Sequence, residues 1–375
     1  MSWRECDRVS ERLEFVRLAE SGAVSFAELC RRFGVSRPTG YQWLGRWRAE
    51  GEAGLADRSR RPAHSPSCTD AVMERRVVKL RKRHPRWGGR KISRVLVNQG
   101  HRRVPAPSTI TGILRRHRLL SPVAPPRGYV SWQRPSPNDL WQMDFKGWFG
   151  LSSGQRCHPF GVLDDHSRYN LCLAACADET TATVKALLEA TFGVYGIPNQ
   201  ILCDNGSPWG NDLHHPWTPL GVWLLDVGVG VIHPRPYHPQ TDGKQERFHL
   251  SLDWEVISTR PAWDDHPGVQ AAFDTWRVVY NHQRPHDALG LDVPADHYQP
   301  SARPYPRVIE PPDYPQDYQV RSVSADARIS FHNRPIRVGR AFIGRRVGIT
   351  PTTTDGTYDV YYRHQHIRTI NLATP

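Results

Sequence analysis

Asp144 lies within WQMDFK, Asp204 within ILCDNGSPW and Glu246 within HPQTDGKQERFHLSL. The first two contexts read as strands and the third as the start of a helix. Short apolar strands rarely carry a carboxylate unless something binds it. Carboxylates converging from three elements form a hard-oxygen donor set of the kind that takes up Mg2+, with Mn2+ as a substitute. Two such ions, roughly 3.5–4 Å apart, can activate an attacking water or sugar hydroxyl and neutralise charge on the leaving oxygen. Phosphodiester chemistry is therefore within reach of these residues.

The elements that must hold the acids can be read around them. In WQMDFKGWF, Trp141, Met143 and Phe145 point one way and Gln142, Asp144 and Lys146 the other, the period of a strand. Asp204 ends the short apolar run QILCDNG, at the place where α/β sheets open a ligand crevice. Phe248, Leu252 and Val256 make a helical core stripe, which puts Glu246 on a different face, with His249 and Asp253 at i+3 and i+7. HPFGVLDD and YNLCLAACA read as strands, TATVKALLEATFGVYG as a helix, VGVGVIHPRP as a strand and VQAAFDTWRVVYNHQRPH as a helix. Residues 139–300 thus form a mixed α/β sheet domain. Asp165, in DDHSR, reads as a structural or supporting acid. Residues 207–226 read as irregular, then helical.

Both flanks look like DNA-handling modules. Residues 1–53 carry three helical patterns in a helix-turn-helix arrangement. Ser25 followed by Glu28 is a capping box, and Ser36 caps a third helix that would present Arg37, Thr39, Gln42, Trp43 and Arg46 to the major groove. Residues 54–68 are a Pro/Ser/Arg linker, with Arg58, Arg60 and Arg61 suited to phosphates. Residues 69–120 repeat the helix-turn-helix or winged-helix outline, with Ser108 as a cap and Arg90, Lys91, Arg94, Ser108, Thr109, Arg115 and Arg116 as contact candidates. A Pro-rich linker spans 121–138 and another 301–315. Residues 316–375 read as a small, basic, SH3-like β-barrel of about five strands, with turn signals at HNRP, DGT and RHQH.

Charge follows the same division. The chain of 375 residues has a net charge of +13, but residues 1–138 hold 29 basic against 11 acidic residues and residues 139–300 hold 10 against 20. Basic arms suit a phosphate backbone, whereas an acidic middle repels DNA unless cations sit in it. No apolar run is long enough to span a membrane, and the start of the chain lacks the apolar segment of a signal peptide. Seven irregularly spaced cysteines, with Cys172 and Cys176 in an apolar strand, read as buried thiols of a reducing cytoplasm. His214–His215 and His282/His286 are weak zinc candidates. Gly243-Lys244 is no phosphate-binding loop, since neither the preceding glycine nor the following hydroxyl is present.

WQMDFK, DDHSRY, DNGSPW, HPQTDGKQER and YNHQRPHDAL, in that order, resemble the successive motifs of the DDE transposases of the retroviral-integrase superfamily, on the bacterial insertion-sequence side. The resemblance implies a ribonuclease H-like core in which Asp144, Asp204 and Glu246 bind two Mg2+ ions and catalyse cleavage and strand transfer. Asn205, Gly206 and Ser207 would shape the loop beside the second acid, and Lys244, Gln245 and Arg247 would face the transposon-end DNA. It further implies binding of double-stranded DNA, both inverted-repeat ends and target, by a homodimer or larger assembly near the nucleoid. Forty-one residues separate Asp204 from Glu246, more than is usual, and NDLHHPWTPLG looks like an insertion that loops out. The zinc-binding module that opens retroviral integrases is replaced by helix-turn-helix units. The competing reading is a sequence-specific DNA-binding regulator that keeps the fold without cutting; a ribonuclease H-like nuclease is a third.

Overall fold

A computed structural model describes residues 8–58, 69–120, 133–210, 217–233 and 243–372. Arg60, Arg61, His214, His215 and most of the two Pro/Arg-rich linkers lie outside them, as do the first residues of HPQTDGKQER.

The chain divides into two compact units, residues 1–68 and 69–375. The first holds helices α1 (Arg8–Ser21), α2 (Phe26–Arg32) and α3 (Arg37–Glu50), followed by a 3-10 turn. Ser25 and Ser36 are the N-caps, their hydroxyls accepting from the Glu28 and Thr39 amides. Phe15, Val16, Leu29, Cys30, Leu44 and Leu55 close the core. Gly40 is required there, because a Cβ would stand 2.9 Å from both Cys30 Sγ and Phe15 Cζ. The module runs past the expected boundary at 53: Leu55 is fully buried and its carbonyl accepts from Arg12 Nη1 at 2.8 Å.

The second unit begins with α4 (Ala71–Arg83), α5 (Gly89–Asn98) and α6 (Pro107–Arg116), packed around Val77, Trp87, Ile92, Leu96, Ile110 and Leu114. Ala106, and not Ser108, occupies the N-cap of α6; Pro107 starts the helix, where its missing N–H costs nothing.

The sheet that follows combines β1 (Leu140–Phe145), β2 (Phe149–Gly150), β3 (Arg156–Asp164), β4 (Asn170–Cys176), β5 (Gln200–Leu202) and β6 (Gly230–Ile232). β4, β3 and β1 are antiparallel neighbours; β5 and then β6 continue from β1 in parallel, and β2 extends one end of β3. Helices α7 (Thr181–Tyr195) and α8 (Pro219–Asp226) cover one face, burying Val184, Leu188, Phe192 and Leu224 with Trp141, Met143, Phe160 and Val162. Helices α9 (Gly243–Glu255) and α10 (His266–His282) cover the other, burying Phe248, Leu252, Phe273 and Trp276 with Leu163 and Leu173. The strand and helix stripes read from the sequence are therefore the ones that pack. The supposed insertion does not simply loop out: Thr218 caps α8 and bonds Trp209 O at 3.0 Å, while Leu220 and Gly221 are buried helix residues.

The C-terminal part is all-β, with six strands where about five were expected: β7 (Gln319–Ser322), β8 (Arg328–Phe331), β9 (Arg334–Arg337), β10 (Arg346–Pro351), β11 (Thr357–Tyr362) and β12 (Gln365–Asn371). They form one four-stranded and one two-stranded antiparallel sheet. The chain is multidomain, with helix-turn-helix modules ahead of a ribonuclease H-like α/β core and a β-rich end.

Candidate active site and DNA-binding surface

β1 pairs in parallel with β5, Leu140 beside Gln200 and Gln142 beside Leu202. The pairing ends there, with Asp144 two residues beyond Gln142 on β1 and Asp204 two residues beyond Leu202 at the end of β5. Both acids thus stand at the carboxyl ends of neighbouring parallel strands, where the sheet opens. The Asp204 carboxylate accepts the Gly206 N–H at 2.9 Å, and its carbonyl bonds His233 Nδ1 at 2.9 Å. Loss of surrounding water pushes the Asp204 carboxyl above its ordinary range, against the lowering effects of the Gly206 amide and His233.

Helix α9 lies over the same strand. On β3, Gly161 stands opposite Asp144, and Gln245 Nε2 donates to the Gly161 carbonyl at 2.9 Å. A Cβ on Gly161 would stand 3.0 Å from Phe248 Cε1, so the helix can come this close only to glycine. His249 Nδ1 is 3.8 Å from Asp144 Oδ2, and Asp253 pairs with Lys146 at 3.0 Å. The face of α9 holding His249 and Asp253 thus runs along β1 past Asp144, and Glu246 lies on that face in the first turn, exposed. Burial drives the His249 imidazole down to about 4, helped by Lys146, so it is neutral beside Asp144 at ordinary pH. The two aspartates share one sheet edge and Glu246 is carried above it. Among the described residues, though, no three His, Cys, Asp or Glu side chains form a group that could hold a metal.

The expected DNA contacts divide sharply. Arg37, Gln42, Ser108, Thr109, Arg115 and Arg247 are exposed, Thr39 and Asn205 half-buried. Others are engaged within the protein. Trp43 packs on the first module's core under Arg12, with Arg46 also over its ring. Arg58 pairs with Glu50, and Arg116 with Glu74. On α5, Arg90 and Lys91 meet Asp287, and Arg94 meets Asp292 at 2.5 Å. The basic face read as a DNA contact is therefore docked on the loop after α10. Lys244 and Gln245 are corrected as well: Lys244 is tied to the fully buried Asp165, and Gln245 is 2% exposed. A lysine beside an acid reads the same in sequence whether it meets phosphate or a carboxylate 79 residues away.

Two features escaped the sequence reading. Buried Asp226, at the end of α8, receives Arg345 at 2.8 Å, Arg363 at 3.5 Å and the Tyr362 hydroxyl, fastening the β-rich part to the core. Asp164 is also fully buried and accepts from Ser167 and from the Asn138 amide; burial pushes its carboxyl up despite these donors. Only an acid inside an otherwise apolar helix or strand end hinted at either. Among the described cysteines, Cys30, Cys157, Cys172, Cys176 and Cys203 are buried thiols, as expected.

Comparison with known proteins bears on the same regions. Residues 134–239 and 227–294 match integrase core domains, and residues 318–375 match the C-terminal domain of IS481 family transposases. Residues 11–63 match a helix-turn-helix domain and residues 39–114 a homeodomain-like domain. The chain is 25% identical over 250 residues to the insertion element IS476 uncharacterized 39.2 kDa protein of Xanthomonas euvesicatoria, covering 65% of this chain and 69% of that one. It is 24% identical over 237 residues to the insertion element IS407 uncharacterized 31.7 kDa protein of Burkholderia multivorans, covering 62% and 82%. A chain of the simian T-cell lymphotropic virus intasome, solved with PP2A regulatory subunit B56 gamma, aligns over 78% of this chain and 99% of its own at 16% identity and a TM-score of 0.37.

The matched domains are helix-turn-helix and integrase-core domains, which supports a DNA-binding, recombination-type role. In its C-terminal match and its insertion-element relatives, the chain is similar to the bacterial insertion-sequence transposases. No described helix is long and apolar enough to cross a membrane.

Proposed function

We propose that the chain is a transposase that binds the terminal inverted repeats of an insertion sequence, cuts each 3′ end and transfers it into target DNA. What supports this reading is that β1 and β5 run in parallel, so that Asp144 and Asp204 stand at the same ends of neighbouring strands, and that α9, which carries Glu246, packs along β1. The donor set suits Mg2+ by its chemistry, hard-oxygen carboxylates from two strand ends and one helix, although they do not converge as they stand. Asp144, Asp204 and Glu246 would hold it. Bound there, a pair of Mg2+ ions supplies charge neutralisation at the attacking and leaving oxygens of an in-line displacement, and Mn2+ supplies the same. Three ionised carboxylates repel one another, and a shared cation favours their convergence.

The protein's own part is placement. The exposed residues of α3 and α6 read the duplex ends, since a helix-turn-helix presents its second helix to the major groove. Neutral His249 packs beside Asp144 without adding a competing positive charge. Arg247, exposed beside Glu246, would meet a phosphate of the bound DNA. Two ends must be held together for paired transfer, so the active form is a dimer or larger assembly on DNA.

The reading is tested with full-length protein, labelled DNA carrying the flanking repeats and a supercoiled target. Joined products with the repeat 3′ ends linked to target strands support it. Tight repeat binding without cutting in Mg2+ or Mn2+ would favour a non-cleaving regulator, and equal cutting of DNA lacking the repeats would favour a general nuclease.

A further inference from the structure

Asp165 follows β3 and is 1% exposed. Its Oδ1 accepts from Gln142 Nε2 at 2.8 Å and from Lys244 Nζ. Its Oδ2 accepts the Arg134 N–H at 2.7 Å, and its own N–H donates to Leu140 O at 2.9 Å. Lys244 Nζ also lies 3.3 Å from the Asp165 carbonyl. The two side chains sharing Oδ1 are informative by position. Gln142 is two residues before Asp144 on the same face of β1, and Lys244 is two residues before Glu246 in α9. One buried carboxylate therefore grips the strand of the first acid and the helix of the third.

We propose that Asp165, acting through Lys244 and Gln142, is a positioning residue that sets the separation of Asp144 and Glu246 and so tunes the affinity of the site for a divalent cation. This rests on the assignment of Asp144, Asp204 and Glu246 as the metal-binding acids. An oxygen donor on a helix can serve a cation only where its helix is held, and the polar ties of α9 to β1 and β3 among the described residues include the Asp165 pair, the Gln245 bond to Gly161, the His249–Asp144 contact and the Lys146–Asp253 pair. The first of these lies two residues before Glu246, at the start of the helix. Lys244 is 16% exposed and Asp165 fully enclosed, so the pair is shielded from salt and is unavailable to phosphate as it stands.

The test uses the full-length protein and terbium(III) as a luminescent probe of the acids, competed with Mg2+, in Lys244→Met, Asp165→Asn, their double variant, Gln142→Met and Asp204→Asn. The proposal expects Lys244→Met and Asp165→Asn each to weaken terbium binding on the order of tenfold, the range seen when groups behind metal ligands are removed. Gln142→Met weakens it less. The double variant is no worse than the worse single one, because both break one contact. End cleavage loses kcat with KM for DNA unchanged, and extra Mg2+ restores part of it. Should Asp165→Asn unfold, Lys244→Met and Gln142→Met carry the test, with thermal unfolding as the control. Unchanged terbium binding in folded Lys244→Met overturns the proposal. So does weaker repeat binding in EDTA with a shallower salt dependence, which would make Lys244 a phosphate contact. If Asp204→Asn keeps both terbium binding and cleavage, the triad assignment itself fails and the clamp falls with it.

Discussion

At the scale of single residues, the account turns on acids whose neighbours decide their roles. Asp144 and Glu246 are partly open to solvent, whereas Asp165 and Asp226 are enclosed by basic partners. Replacing Asp144 by Asn or Glu246 by Gln is expected to cut end cleavage beyond the roughly 100-fold that loss of an outer partner costs, while leaving repeat binding in EDTA intact. A gel assay of cleavage beside a binding titration checks this; cleavage within a few-fold of the parent would remove the residue from the site. Asp144 was legible in the sequence because a carboxylate in the alternating strand WQMDFK has no packing reason to be there. The partners of Lys244, Arg90 and Arg94, namely Asp165, Asp287 and Asp292, could not be read because they are distant in the chain. Local pattern shows that a residue is charged but not what it meets.

At the scale of elements, the decisive event is the approach of α9 to β1 and β3. Gly161→Ala puts a methyl against Phe248 and Gln245. Overpacking of this kind costs about 1–3 kcal/mol, to be read from thermal unfolding, and should lower cleavage more than repeat binding by lifting Glu246 from Asp144. In the first module, Ser36→Ala removes the cap of α3, at about 1 kcal/mol, and should weaken repeat binding without touching the chemistry. Both caps, the core stripe of α9 and the hairpin turns at His332-Asn333 and Gly356 were legible, because caps, helical periods and positive-φ residues are local signals. The short α8 was not fully read: TPLG looked like inserted loop, yet Thr218 caps a helix whose apolar residues belong to the core.

At the scale of the whole chain, the acidic core is bound to its basic flanks by the ion pairs of Asp226 with Arg345 and Arg363, and of Asp287 and Asp292 with α5. Asp226→Asn strips charge from the buried end of the first contact. It should cost up to about 3 kcal/mol, the low end for breaking a buried pair since Arg345 is half-exposed. Denaturant unfolding and protease cutting between the core and the β-rich part report it. Lys91 supplies a pH test. Burial, ahead of the repulsion from Arg284, lowers its ammonium from the ordinary 10.5 to about 8 in the folded chain. A lowered lysine pKa means that the unfolded chain binds more protons between those limits, so stability from this group rises as pH climbs through 8 toward 10.5. Lys91→Met should therefore help the fold most near pH 7, and that advantage should shrink by pH 10. A constant thermal shift across the range would mean that Lys91 is not buried as described.

The central claim is that DNA cutting depends on Asp204 and a divalent cation acting together at the end of β5. The most direct measurement is strand cleavage of repeat-end DNA by the parent protein in Mg2+ and in EDTA, and by Asp204→Asn in Mg2+, with repeat binding measured in parallel. The account predicts cleavage at the repeat ends in the first case and none in the other two, with binding preserved in all three. Cleavage that persists in EDTA, or in Asp204→Asn, would contradict it.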